Sequence, residues 1–414
     1  MPDPDDKVRA QYEAFPYPAR DPKDEARRLV TGSPSHPLEI DHYIFAGRRD
    51  WSRPFRALVA GGGTGDGAVM LAQGLADRAC PGEVVYLDLS AAARRIAEAR
   101  ARARGLGNIR FLTGSLHDAP ALGPFDYIDC CGVLHHLAKP AAGLAALAAA
   151  LEEEGGIGLM LYGELGRTGV YPVQAMLRRL CADAPDGEKL ALARRLLRDL
   201  PASNWLKRNP LLSDHLSSEA GLYDLLLHSR DRAYRVGEVL DLLAGAGLRL
   251  VTFIEPLRYE PASYLRDPAL RRMAAALDPP ARAAFAEELC GSLKNHVLYA
   301  VKASRADDSV ARPDEPGTVP VLRDIDGGAL ARGMPAGGAL DAEFGGVPVS
   351  FPLPPLAAAI LARCDGRRSL EEIRAALPGR PDWPAFKAQF DALYAVMNGV
   401  NRLLLRCPAG GGSR

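Results

Sequence analysis

The first residues that could do chemistry form a run of small ones, Gly61-Gly62-Gly63-Thr64-Gly65. They follow the apolar stretch FRALVA and precede the helical stretch AVMLAQGLA. Glycines at a strand-to-helix turn let the backbone approach a ligand closely, and the helix start offers free amides. Gly63, Gly65 and Ala68 fit the GxGxxA spacing of a dinucleotide site, although a plain tight turn explains the same glycines. Asp88 ends VVYLDLS, where a carboxylate can accept hydrogen bonds from ribose hydroxyls or cap the next helix. Ser115, in LTGSLHD, ends a third run at the same rim, placed to line an adenine pocket or to serve as a turn residue. The set points to a nucleoside ligand without choosing among nucleosides.

A second set carries proton chemistry. His135 and His136 sit together in GVLHHL, and Tyr162 and Glu164 follow in LYGELGR. His228, Ser229 and Arg230 end an apolar helical run. A histidine or carboxylate is useful if the reacting atom must lose a proton, and an arginine can clamp a carboxylate with two bonds. The plainer readings are a packed histidine, a loop anchor and a structural ion pair. Tyr12 and Tyr17, in YEAFPYP, have the character of a lid that closes over a ligand and excludes water, or of a strap packed on the domain.

The elements that must position these residues alternate. From about residue 54 to 162 the pattern runs strand, helix, strand, helix, which implies an α/β, Rossmann-like doubly wound parallel sheet. Residues 1–50, rich in proline and aromatics, read as an irregular lid or strap. Residues 51–165 form the nucleoside-binding core. Residues 166–302 form a helical substrate region closed by the strands LRLVTFI and NHVLYAVKA, and residues 303–318 a flexible polar linker. The remainder, 319–414, reads as a small winged-helix-like module in which Ser369 and Glu372 make a capping box.

Composition excludes several classes. Lys+Arg and Asp+Glu balance at 51 each in 414 residues, so no global charge draws the chain to nucleic acid or an anionic membrane. The five arginines between 94 and 104 read as the charged face of a surface helix. No apolar stretch approaches the roughly 20 residues of a membrane span. The seven cysteines are scattered and no Cys or His spacing matches a zinc site, so neither a disulfide framework nor a metal is expected. The cytoplasm is the expected compartment.

Taken as an ordered series, ALVAGGGTG, VVYLDLSAAARRIAEARARARGLGNIRFLTGS, FDYIDCCGVLHHLAKPAAGL and GGIGLMLYGELGR resemble the successive motifs of class I methyltransferases. The resemblance runs from about 55 to 255. It is strongest to a bacterial subfamily often fused to tetratricopeptide repeats, which are not present here. It implies S-adenosylmethionine as cofactor, held by Gly61, Gly62, Gly63, Gly65, Asp66, Asp88, Leu89, Ser115, Leu116 and Cys131. Methyl transfer would be an in-line displacement, with His135, Tyr162, Glu164 and His228 as catalytic candidates. Tyr12, Tyr17, His136 and Arg230 would face the substrate. Two positions depart from the family: Val59 stands where an acidic residue usually ends the first strand, leaving Asp66 or backbone carbonyls to meet the methionine ammonium, and Ser115 stands where Asp is frequent. The run FPLPPLAAAILARCDGRRSLEEIRAAL resembles the small peptide-binding domains of the PqqD type. These features favour a nitrogen or oxygen acceptor on a peptide or protein. The alternatives are a small-metabolite methyltransferase and a non-catalytic nucleotide-binding module. A homodimer is among the expected assemblies.

Overall fold

A computed structural model describes residues 5–306, 308–334 and 338–408. The ends of the N-terminal segment (1–4) and of the C-terminal module (409–414) lie outside the described residues, as do 307 and 335–337.

The central strands are β1 (Phe55–Ala60), β2 (Gly82–Asp88), β3 (Ile109–Thr113), β4 (Phe125–Cys131), β5 (Leu151–Tyr162), β6 (Leu248–Phe253) and β7 (Asn295–Lys302). They form one sheet in the order β3-β2-β1-β4-β5-β7-β6, parallel except for β7, which runs antiparallel to both neighbours. Runs such as FRALVA and FDYIDCC are apolar on both faces because helices cover both sides, the usual state of a parallel sheet. On one face Leu58, Ala60, Ile128 and Cys130 pack with α5 (Pro140–Ala149) and α6 (Val236–Gly245). On the other, Ala57, Val59, Tyr86 and Tyr127 pack with α3 (Asp66–Ala76) and α4 (Ala91–Ala103). Strand order departs from sequence order beside β1, and ligands of such sheets bind at the carboxyl ends there.

Two sequence readings change. The N-terminal segment is not irregular: it forms α1 (Asp6–Ala14) and α2 (Pro37–Ile44). All eight residues of α2 are buried, so it is part of the core rather than a strap on the surface. An eight-residue helix buried all round shows no amphipathic period, and its N-cap is His36, whose ring accepts the Leu38 amide, instead of the usual Ser, Thr or Asp. The polar stretch 303–318 is likewise anchored. Ser309, Ala311 and Thr318 are buried, and the amides of Ala46, Ala311 and Leu370 bond to Ser309, His42 and Thr318 carbonyls, each at 2.8 Å.

The C-terminal part builds its own core from Ile360, Leu370, Phe386, Phe390, Leu393 and Leu403, among others. It contains two antiparallel pairs, Ala339–Phe344 with Val347–Pro352 and Val319–Leu322 with Leu403–Arg406. The Ser369 capping box forms as read from the sequence. The last strand serves two cores at once: Leu403 and Leu405 face the terminal module, while Leu404 packs into the sheet domain with Tyr43 and Ile44.

Candidate active site

A cavity of about 490 Å³ opens at the carboxyl ends of β1, β2 and β4. Its first half is built by the glycine loop. Gly61, Gly63 and Gly65 take φ of 72°, 51° and 99°, left-handed values that favour glycine, and turn the chain from β1 into α3. Asp88 closes β2 with one carboxylate oxygen accepting the Gly63 amide at 2.8 Å and the other accepting the Ser90 amide at 2.7 Å. Burial raises its carboxyl, opposed by these two bonds. Gly61, Gly62, Gly63, Asp88, Leu89, Ser115, Leu116 and Cys131 all line this half of the cavity. Gly65 does not; it caps α3. The Ser115 hydroxyl is engaged in a capping box with Asp118.

Asp66 lines the cavity but is not a free carboxylate. It pairs with Arg20 at 2.6 Å and with the buried Arg100, also at 2.6 Å. Burial pushes its carboxyl up, but the two guanidinium bonds outweigh that and hold it below the ordinary value. Arg100 in turn pairs with buried Glu25 at 2.6 Å. The arginine-rich helix therefore does more than present a solvated face: Arg100 fastens the N-terminal segment to the sheet domain.

The second half is polar and deeply buried. Tyr12 on α1 donates to Asp224 at 3.0 Å, and Tyr162 at the end of β5 donates to the other Asp224 oxygen at 3.1 Å. Asp224 lies in a single π-helical turn, Tyr223–Leu227. Burial pushes its carboxyl up to about 6 despite these bonds and nearby Arg167. Arg167 lies 3.6 Å over the Tyr162 ring and pairs with Asp231 at 3.1 Å, which fixes the phenol. Tyr12, Tyr17, His136, Tyr162 and Asp224 face the cavity.

His136 and His228 stack beside Asp224, with centroids 3.9 Å apart and planes 15° apart. The Nδ1 of His136 lies 3.0 Å from the Arg230 carbonyl, so it carries the proton and leaves the Nε2 lone pair free. The Nδ1 of His228 accepts the Arg230 amide at 3.0 Å, so its Nε2 carries the proton and faces the Tyr12 hydroxyl at 3.2 Å. Burial pulls His136 down to about 4 and, with His136 and Arg167 nearby, holds His228 well below its ordinary value.

Ligand atoms of His136, Asp224 and His228 lie within 4.8 Å of one another, a grouping the sequence spacing does not reveal. The geometry fits a metal poorly. Imidazole binds a metal through an in-plane lone pair, whereas these rings are stacked and His228 has no free lone pair on the nitrogen that faces the cluster.

Four residues read as site groups lie elsewhere. His135 is buried behind Tyr162, stacked on its ring at 3.7 Å and accepting the Tyr162 amide at 3.3 Å; His136 is the neighbour that reaches the cavity. Glu164 is half exposed and paired with Arg235 at 3.1 Å. Arg230 pairs with Asp5 at 2.9 Å and holds the histidines through its backbone. His228 stands one layer back, behind Tyr12. Asp224 and Asp129 were missed. Each is a carboxylate inside an apolar run, LYDLLL and DYIDCC, and that was the available signal.

Residues 58–157 match the family described as "Methyltransferase domain". An uncharacterized protein of Synechococcus sp. is 32% identical over 264 residues, which cover 61% of this chain and 61% of that protein. The chain thus spans under two thirds of the length of that curated relative. The structure of PKMT2 from Rickettsia typhi is similar over 91% of this chain and 77% of its own, at a TM-score of 0.64 and 15% identity. The same protein in complex with AdoHcy gives 0.63 over 90% and 75%, also at 15% identity. At that identity the likeness speaks for the fold. The matched segment spans β1 to β5, so the likeness to a methyltransferase domain lies in the part of the sheet that carries the glycine loop and Asp88.

Proposed function

We propose that the protein transfers the methyl group of S-adenosylmethionine to a nitrogen or oxygen atom held against Tyr12, Tyr162, His136 and Asp224. The carrying observation is that one cavity joins the glycine loop and Asp88 to this buried polar cluster. When bound, S-adenosylmethionine supplies an electrophilic methyl carbon on a sulfonium. The protein's work is to bind, align and exclude water. The glycine loop accommodates the nucleoside and Asp88 stands at the ribose position. With that group bound, an acceptor lone pair aligned in line with the methyl carbon would displace the sulfur as S-adenosylhomocysteine, and the acceptor's proton would pass to Asp224. Tyr12 and Tyr162 hold that carboxylate in place, and neutral His136 accepts a hydrogen bond at its free Nε2. No metal is required in this scheme.

Incubation of lysate fractions with methyl-labelled S-adenosylmethionine tests it. Label should accumulate with the wild-type protein and not with Asp224→Asn. The fraction that carries it, protein or metabolite, identifies the acceptor class. No enzyme-dependent label in any fraction would favour a non-catalytic nucleotide-binding role.

A further inference from the structure

Asp129 is a buried carboxylate that the cluster described above does not use. It is 2% exposed, lies near the end of β4 and lines the cavity beside the glycine loop. One of its oxygens accepts the Ser35 hydroxyl. The other, Oδ1, has no hydrogen-bond partner among the described residues. An unpaired buried carboxylate oxygen is costly to keep, so its persistence in a cavity wall needs a ligand or another compensation.

The surroundings are built around this group. A Cβ at residue 67 would sit 2.5 Å from Asp129 Oδ2, so Gly67 at the start of α3 makes room for it. Ser35 belongs to a short segment pinned by the Tyr127 and Tyr299 hydroxyls, which donate to the Pro34 carbonyl at 2.5 and 2.7 Å. In the sheet, Asp129 is the β4 register partner of Val59 on β1. Val59 leaves that position on β1 apolar, and the carboxylate stands one strand over. Asp88 lies on β2, on the other side of β1. Neighbouring strands are about 4.8 Å apart, so the two carboxylates flank the glycine loop from opposite sides, two strand spacings apart. An elongated ligand with a ribose at one end and a cationic amino-acid group at the other fits this layout.

We infer that Asp129 receives the α-ammonium of the cofactor's methionine moiety through Oδ1, with Ser35 and Gly67 positioning its carboxylate. This rests on the proposed use of S-adenosylmethionine. It assigns to β4 a contact that Asp66, already held by two arginines, is not free to make.

Calorimetric titration of the full chain with two ligands tests it. S-adenosylhomocysteine carries the amino-acid group, and 5′-methylthioadenosine lacks it. Asp129→Asn should lower affinity for S-adenosylhomocysteine roughly tenfold or more, the loss of a charge-assisted bond. Affinity for methylthioadenosine should stay within about twofold of wild type, because the substitution removes only the charge that the ammonium meets. The melting temperature without ligand should not fall, since the substitution removes a buried charge while keeping the side chain's shape. Val59→Asp added to Asp129→Asn should recover part of the loss by returning a carboxylate to the neighbouring strand. Equal loss for both ligands, or no loss for either, overturns the ammonium role. No binding of S-adenosylhomocysteine to the wild type would instead overturn the cofactor reading on which it depends.

Discussion

At the scale of single residues, the carboxylates that line the cavity sit in different environments. Asp88 is satisfied by two backbone amides and is pre-oriented before any ligand arrives. Asp88→Ala should weaken S-adenosylhomocysteine binding by about 1.5–3 kcal/mol, roughly ten- to a hundredfold, as measured by calorimetry. Unchanged affinity would remove Asp88 from the ribose position. Asp224 is held up to about 6 by burial. A base must be ionised to take a proton, so turnover should rise as pH passes upward through about 6 and level off above it. Asp224→Asn should lose that limb and about 10²–10⁴ in rate. A wild-type profile flat across pH 5–8 would argue against this residue as the base. The same burial has a stability consequence. The folded value lies above the ordinary 3.8, so the native state binds the proton more tightly than the unfolded chain does. The stability Asp224 lends at low pH is lost as pH rises through about 6.

At the scale of elements, α1 completes the site. Tyr12 reaches Asp224 across the cavity, and the Glu13 carboxylate accepts the Ala91 and Ala92 amides at the start of α4. Deleting residues 1–16 should leave a chain that still unfolds cooperatively, because α2 and the Arg100 network remain. Turnover should vanish and cofactor binding weaken. Full activity in the truncated protein would reduce α1 to packing. This element marks the limit of what the sequence made legible. The sheet strands announced themselves as apolar runs at regular spacing, and the glycine loop and Asp88 followed from their ends. α1 and α2 did not, since neither has an amphipathic period long enough to read. The acceptor side was half legible. The HH pair and Tyr162 marked the right loops, but which histidine faces the cavity depends on how a short 3₁₀ turn, Leu134–His136, rotates after β4. Asp224 and Asp129 were hidden because a carboxylate in an apolar run declares burial, not its partners.

At the scale of the whole molecule, the terminal module is fused to the site rather than tethered near it. Glu39 on α2 is fully buried and pairs with Arg323 of the module; it also accepts a bond from Asn401 at 3.1 Å and lies 2.9 Å from the Tyr299 hydroxyl. Ser33, two residues from Ser35, bonds to the same carboxylate at 2.9 Å. Module, sheet and cavity wall thus share one buried charge. Arg323→Ala should destabilise the protein by about 3–5 kcal/mol in chemical unfolding, the cost of stranding a buried ion. Burial already raises the Glu39 carboxyl and Arg323 opposes that. Without the arginine the folded value climbs further above the unfolded one, so the deficit should grow as pH rises. A deficit independent of pH would mean that Glu39 is compensated elsewhere. Removing residues 310–414 should expose Tyr43 and Ile44 and cost stability outright, instead of simply raising KM as a detachable peptide guide would.

If this cavity takes S-adenosylmethionine, its demethylated product should bind there as well. Titration of the wild-type chain with S-adenosylhomocysteine, with NAD as the competing nucleoside ligand, tests it most directly. S-adenosylhomocysteine should bind saturably at one-to-one, and NAD should give no saturable heat. Saturable binding of NAD with none of S-adenosylhomocysteine would contradict it.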